Sequence, residues 1–325
     1  MSKRLAVGID VGATNVRIAL GDELGQIFVK FSEKTEKNKG PEGISNQLIR
    51  MVRTLQKEHP EAKKIVSLGV GSAGPLDLKK GGLMKPTNMP YDFVPLIRPL
   101  EDAFKLPTYL LNDCAAAVIG DKNFGAGNEH SNMVYITIST GIGAGVYVDD
   151  HLLIGKDGNA HEIGHFTIDS MGTLQCGCGK KGHWEAYCAG TSIPNFIKVL
   201  IQHEQHKDVN SSLLFKAINN DLNKLTAKIL FDTAKAGDPL CIGLVEDIGK
   251  LNAIGFACVI DAYDPSLITI GGAVALNNAN LIVDPIRRYV QNHSRNRLPD
   301  IFLTPLDEYV VAYGAICMVF QHERS

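Results

Sequence analysis

A chain of 325 residues is long enough to build two lobes rather than one core. Its 45% hydrophobic and 21% charged residues are those of an ordinary globular protein, and a formal net charge of −2 gives no bulk attraction to nucleic acid or to membrane surfaces. The seven cysteines, scattered apart from Cys176 and Cys178, do not look like a disulfide framework, and no apolar run reaches bilayer length, so a cytoplasmic protein is expected.

Taken from the N-terminus, Arg4 to Asp10, Val16 to Leu20 and Gln26 to Phe31 read as three strands in quick succession. The first two are joined by Asp10-Val11-Gly12-Ala13-Thr14-Asn15. There Gly12 lets backbone N–H groups approach an anion, Thr14 and Asn15 add side-chain donors, and Asp10 suits a hydrated magnesium, since it would repel phosphate itself. Ile44, Leu48, Val52 and Leu55 recur at helical spacing and stop near Pro60. A further strand, Ile65 to Val70, ends in the glycine-rich GVGSAGP. Lys79 to Pro107, rich in Pro, Gly and Asn, reads as one long loop over an active cleft. After a short strand, Tyr109 to Leu111, Asn112-Asp113 opens an alanine-rich helix, Cys114 to Phe124. Position alone makes Asp113 a helix cap; its functional reading is a base that accepts the proton of an attacking hydroxyl while Asn112 orients a ring.

The programme then restarts. Met133 to Ile138 is a strand, Ser139-Thr140-Gly141-Ile142-Gly143-Ala144-Gly145 a turn, and Val146 to Val148 with Leu152 to Ile154 further strands. A matched pair of such turns, each after an apolar strand, is more telling of phosphate binding than either alone. Neither is a Walker A loop, since no Gly-Lys-Ser/Thr follows, and GIGAG is followed by a strand rather than the helix of a dinucleotide fingerprint.

The stretch HEIGHFTIDSMGTLQCGCGKKGHWE, His161 to Glu185, places His165, Cys176, Cys178 and His183 within nineteen residues, separated by glycines. Two thiolates and two imidazoles close a tetrahedral zinc shell; the bland alternative is a pair of buried thiols, and the C-x-C spacing does not fit a C-x-x-C redox pair. Zinc would hold still a loop with too few large apolar residues to do so itself. Glu162 and Glu185 flank the ligands, so fixing the metal would aim both carboxylates, an arrangement suited to a polyhydroxylated ligand.

Helices are expected over Glu185 to His203, Asp221 to Ala236 and Pro239 to Tyr263, then a strand, Leu267 to Ile270, ending in Gly271-Gly272, where the backbone would approach a nucleoside. A helix at Leu281 to Asn292, a strand at Ile301 to Thr304 and a closing helix at Tyr313 to Gln321 complete the chain. Two successions of strand, glycine turn, strand and helices imply a duplicated α/β architecture with an interlobe cleft: residues 1–112, completed by 309–325, and residues 113–308 with the cysteine loop.

Across GIDVGATN, GVGSAGP, LLNDCAAA, STGIGAG, HEIGHF, CGCGKKGHWE and IGGA, from Val7 to Ala315, the chain resembles the ROK family of sugar kinases and sugar-responsive repressors. The resemblance implies a duplicated ribonuclease-H-like, actin-like ATPase fold, with ATP and Mg2+ serving to phosphorylate a hexose, usually at the 6-hydroxyl, in carbohydrate metabolism. Asp113 would be the base, and Gly74, Asn88, Asn112, Glu162, His165 and Glu185 would surround the sugar. Asp10, Gly12, Thr14, Asn15, Thr140, Gly141, Gly271 and Gly272 would serve the nucleotide. Structural zinc would be held by His165, Cys176, Cys178 and His183, with the second imidazole nitrogen of His165 donating to a sugar hydroxyl. The family's usual third cysteine is His183 here, so zinc is expected to be retained but held less tightly.

A glucokinase or broader hexokinase is the expectation, with an N-acetylmannosamine or N-acetylglucosamine kinase as the alternative, decided by the pocket wall near C2, which the Met84 to Phe93 loop is expected to form. A sensor without catalysis leaves Asp113 and the paired turns unexplained, and a filament-forming ATPase leaves the zinc loop unexplained. The family's repressors carry an N-terminal helix-turn-helix, for which the early first strand leaves no room. Lobe closure on sugar and assembly as a dimer or tetramer are expected.

Overall fold

The first apolar run folds as the strand Leu5–Val11, paired on both edges and buried along its whole length because helices cover both faces of its sheet. It is third in a five-stranded sheet of order Ile27–Lys34, Asn15–Asp22, Leu5–Val11, Ile65–Ser72, Thr108–Asn112, in which the first two pairings are antiparallel and the last two parallel. This sheet frames the first of two units in the structure, a computed structural model that describes residues 3–86, 89–156, 158–202 and 212–322. The unit contains the chain up to His130, residues 151–158, and the chain from Thr304 onward.

Side chains alternate across the sheet, and the two faces are filled differently. Leu5, Val7, Ile9 and Val11 meet Ile44, Leu48, Met51, Val52 and Leu55 of the helix Gly43–Glu58 in one apolar cluster. The other face carries small residues, and the helix Val310–His322 lies directly on it. Gly8 and Gly69 are register partners, and a methyl group on either would sit 2.1 or 2.0 Å from a carbonyl oxygen of that helix. The same helix packs on Asp113–Phe124 at backbone distance: a methyl on Gly314 would lie 1.6 Å from the carbonyl oxygen of Ala116. Gly314→Ala should therefore force the two helices apart and destabilise the protein by about 1–3 kcal/mol, read as a lowered melting temperature.

The second unit, residues 131–150 and 159–303, repeats the plan. Met133–Ile138 pairs antiparallel with Ile142–Val148, and then Leu267–Gly271 and Asp300–Leu303 add parallel strands. The 25-residue helix Pro239–Tyr263 starts where the sequence places it, with the Asp238 side chain accepting from the Cys241 N–H at 2.9 Å. Among the described residues no helix is long and apolar enough to cross a membrane.

Four sequence expectations change. The region expected as one loop, Lys79 to Pro107, holds the strands Gly82–Met84 and Phe93–Pro95, which with Leu76–Asp77 make a three-stranded sheet, and the helix Ile97–Phe104. Strands of two or three residues are too short to show a period. The turn read as Ser139 to Gly145 closes at Gly141; Gly143, Ala144 and Gly145 already pair with Thr137, Ile136 and Tyr135. The helix expected over Glu185 to His203 is two helices, Glu185–Cys188 and Ile193–Gln202, with Ala189 extended between them; His203 lies outside the described residues. Asp221 to Ala236 likewise divides into a 3₁₀ turn, Leu222–Lys224, and a helix, Ala227–Lys235, because Thr226 caps the latter by accepting from the Ile229 N–H. The helix Asp113–Phe124 lies in the first unit, packed on its C-terminal helix.

Candidate active site

In the first unit the carboxyl ends of the parallel strands converge. Asp10 registers with Gly71, and Ser72 with Asn112, so Asp10 and Asp113 end on the same edge of the sheet. Asp10 is 6% exposed and receives the Arg17 guanidinium at 3.1 Å; Arg17 also reaches Glu308 at 3.0 and 3.2 Å. Burial raises the Asp10 carboxyl to about 7, with Arg17 opposing and the nearby charge of Asp113 adding to the rise. Asp113 keeps partial exposure, yet desolvation by the surrounding protein raises its carboxyl too, against the Cys114 N–H that it accepts at 2.8 Å. Two desolvated carboxylates on one sheet edge, with raised pKa values, are candidates for cation binding or proton transfer.

Capping falls chiefly to Asn112, whose Oδ1 accepts from Cys114 and Ala115 at 2.9 and 3.2 Å. Its oxygen is thus committed, and only its amide nitrogen can serve a ligand. The turn after Asp10 is tightly closed: the Gly12 N–H donates to the Asn15 carbonyl at 3.0 Å, and Thr35 donates to the carbonyls of Gly12 and Thr14. A methyl on Gly12 would meet the Asn15 oxygen at 2.8 Å, so here glycine serves the turn itself, while Thr14 remains exposed. Gly74 is exposed just past the strand Ile65–Ser72. Asn88 lies outside the described residues. Arg17 and Glu308 were not singled out from sequence; Asp10 and Arg17 are direct partners in the hairpin register, a signal that the two flanking strands already contain.

In the second unit His165, Cys176, Cys178 and His183 bring one ligand atom each to within 4.8 Å of all the others. Cys176 Sγ lies 3.7 Å from His165 Nδ1, and Cys178 Sγ 3.3 Å from His183 Nδ1. A tetrahedral zinc, with bonds of about 2.3 Å to sulfur and about 2.0–2.1 Å to nitrogen, spaces its ligands roughly 3.3–3.8 Å apart, so the donor set and these two sulfur–nitrogen edges fit the ion. Burial pushes the Cys176 thiol up to about 11, so metal binding there would release a proton, and it lowers His183, which favours the neutral imidazole that ligates. His165 turns its other nitrogen to Glu162, Nε2 to Oε2 at 3.6 Å.

Backbone geometry brings the ligands together. Gln175 bridges Lys181 and Thr167 bridges His183, making small hairpins in which Gly182, at φ +77°, passes where a methyl would meet the Asp169 carbonyl at 2.1 Å. Asp169 overcomes its partial desolvation through bonds from Tyr187, Thr173 and Met171, which hold its carboxyl at about 2. Trp184 is fully buried, donates from Nε1 to Asn252 at 2.9 Å, and stacks where Gly255 has no side chain. None of these supports was identified from sequence, although Trp184, the chain's single tryptophan, stands beside Glu185.

The turn Ser139–Gly141 carries an exposed Thr140 and closes by the Ser139 N–H donating to the Gly141 carbonyl at 2.9 Å. Glu185 accepts from the Ile142 N–H at 2.9 Å. Gly271 and Gly272 end the strand Leu267–Gly271; Gly272 has φ +87°, and a methyl there would meet Thr137 Oγ1 at 2.5 Å. Glycine is required at that position by its own sheet. The first unit therefore offers a carboxylate pair and a turn with an exposed hydroxyl, and the second a metal-fitting cluster with two flanking glutamates and a turn of its own with an exposed hydroxyl.

The sequence profile of the ROK family matches residues 6–321. A glucokinase of Pyrobaculum calidifontis is 33% identical over 318 residues, 97% of this chain and 95% of that protein. The crystal structure of a ROK family glucokinase from Streptomyces griseus in complex with glucose and AMPPNP superimposes with a TM-score of 0.80 at 27% identity, covering 98% of this chain and 99% of that one. A ROK hexokinase from Thermus thermophilus superimposes with a TM-score of 0.77 at 28% identity, covering 99% of this chain and 100% of that one.

Proposed function

The chain belongs to the ROK family and is an ATP-dependent hexose kinase of the actin-like ATPase fold, and we propose that it phosphorylates glucose, or a broad set of hexoses, at the 6-hydroxyl with Asp113 as the general base. The observation that carries the role of Asp113 is its place: a desolvated carboxylate at the carboxyl end of the parallel strands, on the same sheet edge as Asp10. In a loose phosphoryl-transfer transition state the hydroxyl loses its proton late, so a carboxylate suffices as acceptor.

Glu162, Glu185 and the Nε2 of His165 hold sugar hydroxyls, and the Asn112 amide nitrogen, its oxygen spent on the helix cap, donates to another. Gly74 and Asn88 belong to the same proposed sugar set. Thr14, Asn15, Thr140 and Gly141 serve the nucleotide, with Gly12 shaping its turn and Gly271 and Gly272 its backbone surface. Magnesium held through water by Asp10 would supply neutralisation of phosphate charge. Zinc held by His165, Cys176, Cys178 and His183 would supply rigidity to the loop between the two glutamates. Assembly as a dimer or tetramer and a place in cytoplasmic glycolysis belong to this proposal.

Glu185→Gln removes a charge-assisted hydrogen bond worth roughly 1.5–3 kcal/mol and should raise the KM for sugar correspondingly. An unchanged KM would mean that Glu185 does not touch the sugar. A coupled ADP-release assay across glucose, mannose, fructose and the N-acetylhexosamines tests the substrate. The hexoses should turn over well and the N-acetylhexosamines poorly; preferred turnover of N-acetylmannosamine or N-acetylglucosamine would replace the glucose reading with the second one.

A further inference from the structure

Glu185 touches two things at once. Its Oε2 accepts the Ile142 N–H at 2.9 Å, immediately past the turn Ser139–Gly141, and its Oε1 lies 3.7 Å from Cys176 Sγ in the metal-fitting cluster. The contact with the turn is close: a methyl at position 141 would lie 2.5 Å from the same oxygen and could be accommodated only by moving the Glu185 carboxylate. The turn is also held from the far end of the short helix that Glu185 begins. Beyond Glu185–Cys188 the Gly190 N–H donates to the Ser139 carbonyl at 2.8 Å, and Thr191 Oγ1 donates to the Thr140 carbonyl at 2.7 Å. The helix is itself anchored by Trp184 on Asn252. One anchored segment therefore grips the turn through a carboxylate at its start and, at its end, a backbone N–H and a threonine hydroxyl.

We propose that Glu185, besides holding sugar, is a positioning residue for the nucleotide: it fixes the Ser139–Gly141 turn in the conformation that binds the phosphates of ATP. This rests on the reading of that turn as a nucleotide contact. A short turn with an exposed threonine has many conformations open to it, and ordering it on binding would cost affinity. The bond from Ile142 to Glu185 meets that cost in advance, before either substrate arrives. The sugar-facing carboxylate and the donor-facing turn are in this way one rigid piece.

The test is calorimetric binding of the non-hydrolysable analogue AMPPNP with Mg2+, in the absence of any sugar, to the full chain and its variants. Glu185→Ala removes the acceptor and should weaken AMPPNP binding about tenfold. Glu185→Gln keeps an oxygen that can accept the Ile142 N–H, so its AMPPNP affinity should stay within about twofold of the parent while its sugar affinity falls. Gly141→Ala keeps the Glu185 carboxylate but pushes Oε2 away from the Ile142 N–H, and should weaken both ligands; a far-UV spectrum and melting curve establish that each variant is folded. Parent-like AMPPNP binding by a folded Glu185→Ala overturns the proposal, as does an equal loss in Ala and Gln variants. A parent protein that phosphorylates no hexose, or binds no AMPPNP, overturns the reading beneath it instead, and the positioning role with it.

Discussion

Asp113→Asn should bind hexose and nucleotide much as the parent does while losing about 10²–10⁴ in kcat. The variant keeps the shape and the oxygen that accepts the Cys114 N–H, so helix capping by Asn112 and the strand end should persist. What is lost is a group able to take the hydroxyl proton. A second readout separates this from mere damage. The Asp113 carboxyl is raised by desolvation, so its contribution to stability is fully present below the unfolded aspartate range and is lost as pH rises through its higher folded value. At neutral pH the asparagine variant should therefore melt at or above the parent temperature, and this advantage should vanish on acidification. A folded variant with near-normal turnover would remove Asp113 as the base. A variant that melts well below the parent at neutral pH would show that the carboxylate is structural.

Cys176→Ala should be the second large effect. Cys176 is the one buried member of the four-residue cluster, and its backbone is tied to Lys180 by the N–H it donates at 2.8 Å. Losing one thiolate leaves three ligands for a site expected to bind less tightly than three thiolates and an imidazole would. The metal should be lost, and the glycine-rich loop from Gly172 to Gly182 has little apolar packing to replace it. Glu162 and His165 would then be held by the chain alone. A rise in sugar KM of at least about 100-fold is expected, with a smaller fall in kcat. Unchanged sugar affinity in a zinc-free Cys176→Ala protein would mean that the loop keeps its shape unaided.

The sequence disclosed the parts of the site whose members are close in the chain. His165, Cys176, Cys178 and His183 fall within nineteen residues and converge as donors. Asn112-Asp113 was legible because a strand end followed by an alanine-rich run fixes where the helix starts. Contacts between distant segments were not legible. Arg17 and Glu308 are 291 residues apart, and nothing local marks their pairing. The helix break at Ala189 depends on carbonyls of Ser139 and Thr140, about fifty residues earlier, which no local propensity encodes. Gly8, Gly69 and Gly314 look like weak points in their strands and helix until the close approach of the C-terminal helix explains them. Gly12 and Gly272 were read as backbone approaches to phosphate or nucleoside, yet the tight turn and the neighbouring strand already require glycine there.

Protein purified without chelator, analysed for zinc and titrated with hexose before and after the metal is stripped, gives the most direct answer. About one zinc per chain is expected, with hexose affinity falling in step with its removal and returning when zinc is restored. Well under one zinc per chain in a protein that binds hexose with full affinity would contradict the idea that a metal-held loop presents the sugar-binding carboxylates.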